Sequence, residues 1–360
     1  MESSPFPHQG PLAAEQVRGR EDLIADLLER ATSRRVTALL GPRRFGKTSV
    51  LRKVEALLDQ ASVGVIWIDL YAVRSTADLV VRIDEGLANT GGNAGRHLRS
   101  VATSASVNLG MFKLEFSKPA AQRPDPDGSL HIVLDVLVKA ALAGPTVVVI
   151  DEFTGLNAVE GAAGLLRTKL QHHVQDIGLL FAGSEPTAMA AMFSDMHQPF
   201  YAQADLVEIK PFSAAEWNQI VEAGFASTGD EAGNLAAHIH QFTGGHPYRS
   251  MQLADSVWRS VHLDGTPAAE AWGEGLQQVR ASTGPTIEML FSSFTGAEQS
   301  VLRALAGNRP MFGGSLDLFG SSSGGVAAAR DRLVANGTLD RDQAIVDPLL
   351  ADWIRTRFAL

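Results

Sequence analysis

Gly41-Pro42-Arg43-Arg44-Phe45-Gly46-Lys47-Thr48 follows the β-branched and apolar run Arg35-Val36-Thr37-Ala38-Leu39-Leu40, and apolar residues at helical spacing, Val50, Leu51, Val54, Leu57 and Leu58, come after it. The eight residues match G-x-x-x-x-G-K-T, the phosphate-binding P-loop, with strand, loop and helix in the order the motif requires. Gly41 and Gly46 let the backbone turn tightly and aim its N–H groups at phosphate oxygens. Lys47 can reach the β- and γ-phosphates, and Thr48 offers a hydroxyl to Mg²⁺. Pro42, Arg43, Arg44, Phe45 and Ser49 complete the expected nucleotide-binding stretch. The motif therefore predicts binding of a nucleoside triphosphate on a parallel α/β sheet.

A P-loop needs a second half, a buried strand that ends in a carboxylate. Pro145-Thr146-Val147-Val148-Val149-Ile150-Asp151-Glu152-Phe153 supplies it. Consecutive β-branched residues suit a central parallel strand covered on both faces, and its carboxyl end is where ligands bind in such sheets. Asp151 is the expected Mg²⁺-shell residue. Glu152, directly after it, can orient and deprotonate an attacking water, so the pair points to hydrolysis rather than to a GTPase-type switch. A third strand, Ile177-Gly178-Leu179-Leu180-Phe181-Ala182-Gly183, delivers Ser184, the candidate sensor of the γ-phosphate or the attacking water.

Composition bounds the rest. The chain has 360 residues, 45% hydrophobic and 20% charged, which suits two or three domains. It contains no cysteine, so disulfides and thiolate metal sites are excluded, and its ten histidines show no ligand spacing. No uninterrupted apolar stretch reaches about 18 residues and no basic start leads into an apolar run, so the reading is a cytoplasmic protein with no membrane partner. A formal charge of −9 argues against non-specific coating of nucleic acid.

Residues 1–16, with Pro5, Pro7 and Pro11, read as an extended arm, and 17–210 as the P-loop core. That core opens on Val17-Arg18-Gly19-Arg20-Glu21 and a helix carrying Leu23, Ile24, Leu27 and Leu28. Strands are also expected at 63–70 and 204–209. Within the core, 89–129 is a Gly-, Ser- and Pro-punctuated insertion. Partial alternation on either side of Leu109-Gly110, Ala105 to Asn108 and Met111 to Phe116, reads there as a weak projecting hairpin. Met189, Met192 and Met196 are expected on one core-facing helix side. Residues 211–288 read as a helical lid, with capping boxes at Ser213-Ala214-Ala215-Glu216 and Thr228-Gly229-Asp230-Glu231. Residues 289–360 follow, capped at Thr295-Gly296-Ala297-Glu298: three helices, then a hairpin whose arms are Gly337-Thr338-Leu339 and Ala344-Ile345-Val346, the order of a winged helix.

Val17-Arg18-Gly19-Arg20-Glu21, the P-loop, Val-Val-Val-Ile-Asp-Glu-Phe, Phe-Ala-Gly-Ser-Glu, Thr-Gly-Gly-His-Pro-Tyr and the closing Val-Asp-Pro-Leu-Leu-Ala-Asp-Trp-Ile-Arg together resemble the archaeal-type ATPases. That group is similar to the STAND ATPases (signal-transduction ATPases with numerous domains) and to the AAA+ origin-recognition initiators, and the resemblance covers about residues 17–358. It implies an additional-strand, catalytic-Glu sheet of order 5-1-4-3-2, a helical lid and a C-terminal winged helix. It also implies ATP as the nucleotide, which no base-reading motif establishes from the residues. It places Gly19 and Arg20 near the adenine and His246 and Pro247 on the lid near the nucleotide. Relatives often carry an arginine after Pro-Phe-Tyr, whereas Ala202, Gln203 and Ala204 follow Pro199-Phe200-Tyr201 here. Arg167 and Arg249 are then the candidate arginine fingers, and nucleotide-dependent self-association would be the way to present one to a neighbour.

Two functions fit. One is an ATP-hydrolysing switch that couples its nucleotide state to a protein partner through the winged helix. The other is an ATP-regulated DNA-binding protein. The C-terminal segment 296–360 holds seven Arg, no Lys and seven acids, a balance of zero, and its candidate recognition helix 325–336 offers only Arg330 and Arg332, with Asp331 between them. This is a weak footing for DNA.

Overall fold

The computed structural model describes residues 3–104, 107–310 and 323–358. The chain divides into two compact units. One comprises Ala13–Gly41 and Lys47–Ile209; the other comprises Met1–Leu12, Pro42–Gly46 and Lys210–Leu360.

The first unit is built on β1 (Val36–Leu40), β2 (Gly64–Asp69), β3 (Thr146–Asp151), β4 (Gly178–Gly183) and β5 (Asp205–Glu208). All pairings are parallel, in the order β2-β3-β4-β1-β5, which is the expected 5-1-4-3-2. The strands of β3 and β4 are buried at every position, as continuous apolar runs covered on both faces should be. Alternation sorts their side chains. Ala38, Leu40, Ile66, Ile68, Val148, Ile150, Leu179 and Phe181 enter one core cluster, together with residues of α3 (Thr76–Ala88), α4 (Gly92–Ser104), α6 (Pro126–Leu142) and α7 (Ala162–Leu170). Two further helices, α1 (Glu21–Thr32) and α2 (Lys47–Gln60), pack on each other; α1 lies against β1 and β4, and α2 against β2. Register brings Asp69 opposite Asp151 at the carboxyl ends of β2 and β3, which collects acidic residues at one rim of the sheet.

The 89–129 segment departs from the expected hairpin. Residues 105 and 106 of its first arm lie outside the described residues; the second arm is a helix, α5 (Phe112–Ser117). Phe112, Leu114 and Phe116 alternate, but Phe112 and Phe116 are also four apart, and in the helix their rings stack at 6.0 Å. A tertiary contact decides between the two readings. The buried Asp84 carboxylate accepts the amides of Gly110 (2.8 Å) and Phe112 (3.1 Å), fixing the entry to the helix. Upstream, Ala94, Leu98 and Ala102 form the buried stripe of α4. Next in the chain, α8 (Pro186–Ser194) buries Met189 and Met192, but it ends before Met196, which is exposed, so the third methionine is not a core residue.

The second unit is helical: α9 (Ala214–Ala226), α10 (Leu235–Thr243), α11 (Pro247–His262), α12 (Ala268–Ser293), α13 (Gly296–Ala306), α14 (Ser323–Ala335) and α15 (Pro348–Arg357). The capping boxes at Ser213–Glu216 and Thr295–Glu298 form as expected. Thr228 starts no helix; its hydroxyl instead donates to Asp230 and accepts the Trp258 indole N–H. Trp217, Trp258 and Phe225 form the centre of the core, and Phe6 of the N-terminal segment joins them with 1% exposure. A Cβ on Gly224 would meet the Phe6 ring at 2.3 Å, so glycine is what lets this aromatic seat on α9. The expected C-terminal hairpin reduces to a single antiparallel bridge, Leu339 with Ile345.

Candidate active site

Within the sheet unit, the P-loop emerges from β1 at Gly41 and re-enters at Lys47, the first residue of α2. A Cβ on Gly41 would meet Ile209 Cγ2 at 2.2 Å, so no larger residue fits where the loop leaves the strand. Gly46 has φ +88°, the left-handed backbone that glycine adopts without strain. Lys47 is buried, and its Nζ donates to the Gly41 carbonyl at 2.7 Å, which ties the side chain to the end of β1. Ser49, in the first turn of the helix, is buried.

Thr48 Oγ1 donates to Asp151 Oδ2 at 2.7 Å, so two residues 103 positions apart in sequence meet at the carboxyl ends of β1 and β3. Burial raises the Asp151 pKa above the ordinary carboxylate value. The Thr48 hydroxyl and the Glu152 amide pull it back, and the nearby Glu152 and Asp69 charges add to the rise. Glu152 sits in the left-handed region at φ 50°, an unfavourable place for a non-glycine residue. The next residue, Phe153, is fully buried and stacks on Phe181 at 4.4 Å, and Phe193 and Phe200 complete the aromatic cluster. This packing anchors the turn and turns the Glu152 side chain toward the end of β4. There its Oε2 accepts the Ser184 hydroxyl at 2.8 Å and the Ser184 amide at 3.3 Å. Lys47, Thr48, Asp151, Glu152 and Ser184 are thus linked at one rim of the sheet, and Ser184 touches the glutamate.

Gly19 and Arg20 both have left-handed backbones immediately before α1, and Arg20 is buried as its N-cap residue. Arg167 lies on α7 with its Nε buried and without a hydrogen-bond partner among the described residues.

Within the helical unit, the loop residues Pro42–Gly46 cluster with the start of α11. Arg43 and Arg44 are exposed and Pro42 is half-buried; Phe45 is buried, and its ring meets the His246 imidazole edge-on at 4.9 Å. The Arg44 guanidinium lies 4.6 Å over the Tyr248 ring. Gly244 and Gly245 have positive φ, and a Cβ on Gly245 would meet the Phe212 carbonyl oxygen at 2.1 Å, which explains the Gly-Gly step. His246 then caps α11 through Nδ1, with Pro247 at the first helical position. Burial pushes the His246 pKa down to about 4, so the imidazole is neutral near neutral pH. Arg249 does not behave as a free finger. Its guanidinium is buried in a two-pronged pair with Asp347, at 2.9 and 2.6 Å. The spacing of 98 residues hid this pair from the sequence reading.

No protein-family model matches the chain, and no curated protein matches it in sequence. Solved structures do share its architecture. The Walker-type ATPase of Pyrococcus abyssi has a TM-score of 0.67 at 20% identity, over 98% of this chain and 99% of that one. The ORC2 protein of Aeropyrum pernix, in ADPNP–ADP complexes, has a TM-score of 0.58 at 14% identity, over 99% and 98%. The chain shares their AAA+ fold. The ORC1 protein of Aeropyrum pernix, in complex with DNA, is more distant, with a TM-score of 0.50 at 12% identity over 94% and 93%. In this AAA+ fold the rim at β1, β3 and β4 is where Lys47, Thr48, Asp151, Glu152 and Ser184 lie. No helix among the described residues is long and apolar enough to cross a membrane.

Proposed function

We propose that the chain is a Mg²⁺-dependent ATPase acting as a cytoplasmic molecular switch of AAA+/STAND type, coupling its nucleotide state to a protein partner through a C-terminal winged helix. The observation that carries this reading is the linked set at the sheet rim, with Thr48 on Asp151 at 2.7 Å and Ser184 on Glu152 at 2.8 Å. In this reading Lys47 pairs with the β- and γ-phosphates, and the loop N–H groups from Gly41 to Ser49 cradle them. Gly19 and Arg20 flank the adenine, and His246 and Pro247 belong to the lid, 211–288. The residues suit a hard cation: a hydroxyl and a carboxylate already in contact are oxygen ligands of the type Mg²⁺ prefers. No three His, Cys, Asp or Glu side chains gather as a metal cage among the described residues, in keeping with an ion held by Thr48, Asp151 and the phosphates. When bound, Mg²⁺ would neutralise phosphate charge. Glu152 takes a proton from the attacking water, and Ser184 orients the group that does so.

The DNA-binding alternative requires free cations on the winged helix, taken as 289–360. Arg332 donates to Glu298 at 2.9 Å and Arg330 to its neighbour Asp331 at 2.7 Å, so the two arginines of the candidate recognition helix are already engaged. That favours a protein partner. Binding of a fluorescent ATP analogue to the wild type and to Lys47→Ala tests the reading: saturable binding lost in the variant supports it, and equal binding by both contradicts it. Gel shifts with Arg330→Ala and Arg332→Ala address the alternative, which fails if no duplex shifts with or without ATP.

A further inference from the structure

The start of α11 is a junction between two parts of the helical unit that lie far apart in sequence. On one side stands the nucleotide loop: Phe45 meets His246 at 4.9 Å and Arg44 covers Tyr248 at 4.6 Å. On the other stands Asp347, the N-cap of α15. Its Oδ1 accepts the Leu349 amide at 3.0 Å and Arg249 Nε at 2.9 Å, and its Oδ2 accepts Arg249 Nη2 at 2.6 Å. Between the two sides, His246 Nδ1 accepts the Arg249 amide at 3.4 Å, and Arg249 also lies 5.0 Å from the Tyr248 ring. Gln252 takes the remaining nitrogen, Nη1, at 2.7 Å. One carboxylate therefore caps one helix and clamps the first turn of another, and that turn holds the two loop residues.

We infer that the Arg249–Asp347 pair is a latch by which occupancy of the nucleotide loop controls α15, with Phe45–His246 and Arg44–Tyr248 as its input contacts. The inference rests on the nucleotide reading and names the regulated element. A bidentate pair with its arginine buried suits a latch because it is geometrically specific. Arg249 is buried at 5% exposure, so parting it from Asp347 leaves an unpaired interior charge, and the closed and broken arrangements differ sharply in energy. Coupling of this kind is reciprocal: if loop occupancy biases the pair, breaking the pair changes affinity at the loop by the same factor. The loop contacts are held only while the first turn of α11 is held, so breaking the latch weakens nucleotide binding.

The test is a double-mutant cycle on the affinity of full-length protein for fluorescent ADP, using Phe45→Ala, Asp347→Asn and both together. Asparagine keeps the α15 cap but loses the charge pair. Arg249→Lys, which keeps charge but not the two-pronged geometry, repeats the measurement should Asp347→Asn fold poorly. The expected result is affinity weakened about fivefold or more by Asp347→Asn, with that effect largely lost in the Phe45→Ala background. A purely structural pair would lower the urea midpoint and leave ADP affinity within about twofold, and that outcome overturns the latch. Equal effects of Asp347→Asn in both backgrounds overturn the proposed route. Absence of ADP binding by the wild type overturns the nucleotide reading as well.

Discussion

Lowering the pH from about 7 to about 5 destabilises the helical unit through His246. This imidazole is 5% exposed, and burial holds its pKa at about 4 against 6.5 for the free side chain, with Asp347 opposing that shift and Arg249 and Arg44 reinforcing it. Between these two values the unfolded chain binds a proton that the folded one refuses. Stability is therefore undiminished above 6.5 and falls as the pH drops toward 4. At pH about 5 the loss is about 2 kcal/mol, and it approaches about 3 kcal/mol at the lower end. Asp347, a half-buried carboxylate held below its ordinary value by Arg249, titrates below this window. The assay is urea unfolding followed by tryptophan fluorescence, since Trp217 and Trp258 lie in the core of this unit. The comparison is with His246→Asn, which keeps a capping acceptor and removes the titration. Carboxylates common to both proteins cancel in the difference of slopes. If wild type and variant lose stability in parallel between pH about 7 and about 5, the burial argument is wrong; an imidazole that titrates near 6.5 by NMR would refute it directly.

Three further outcomes follow from the packing. Gly41→Ala places a methyl group against Ile209, where the gap is 2.2 Å, so the loop must shift; nucleotide affinity falls about tenfold or more in equilibrium titration while the far-ultraviolet spectrum is kept. Phe6→Ala empties a site with 1% exposure beside Phe225 and costs about 3–5 kcal/mol in urea unfolding of the helical unit; a loss below about 1 kcal/mol would show that the N-terminal segment is not part of that core. Asp84→Ala removes the acceptor of the Gly110 and Phe112 amides, so limited proteolysis between 107 and 118 accelerates while the sheet keeps its hydrogen-exchange protection.

The sheet was legible because its strands announce themselves. Val147 to Ile150 and Leu179 to Ala182 are continuous apolar runs, and covered parallel strands leave no polar side to confuse the pattern. The P-loop and the Asp151-Glu152 pair are local motifs, each recognisable from consecutive residues even though Thr48 and Asp151 meet across 103 positions. What the sequence hid depends on distant partners. The alternation at Phe112, Leu114 and Phe116 suits a strand and a helix alike, and the Asp84 carboxylate, 26 and 28 residues away, makes the choice. Thr228 carries a capping-box pattern, yet Trp258 and Asp230 use its hydroxyl elsewhere. Ser184 was expected to face phosphate or water; its contact with Glu152 depends on the side-chain direction set by a left-handed backbone at Glu152 and the aromatic cluster behind it. The Arg249–Asp347 pair left no local trace, because each residue alone reads as a polar group near a helix start.

Single-turnover hydrolysis of Mg²⁺-ATP by wild type and Glu152→Gln, with binding measured on the same samples, tests the central claim most directly. The account predicts turnover by the wild type, unimpaired ATP binding by the variant, and a rate lower by about 10²-fold or more in the variant. Equal rates in the two proteins, or no hydrolysis by a wild type that binds ATP, would contradict it.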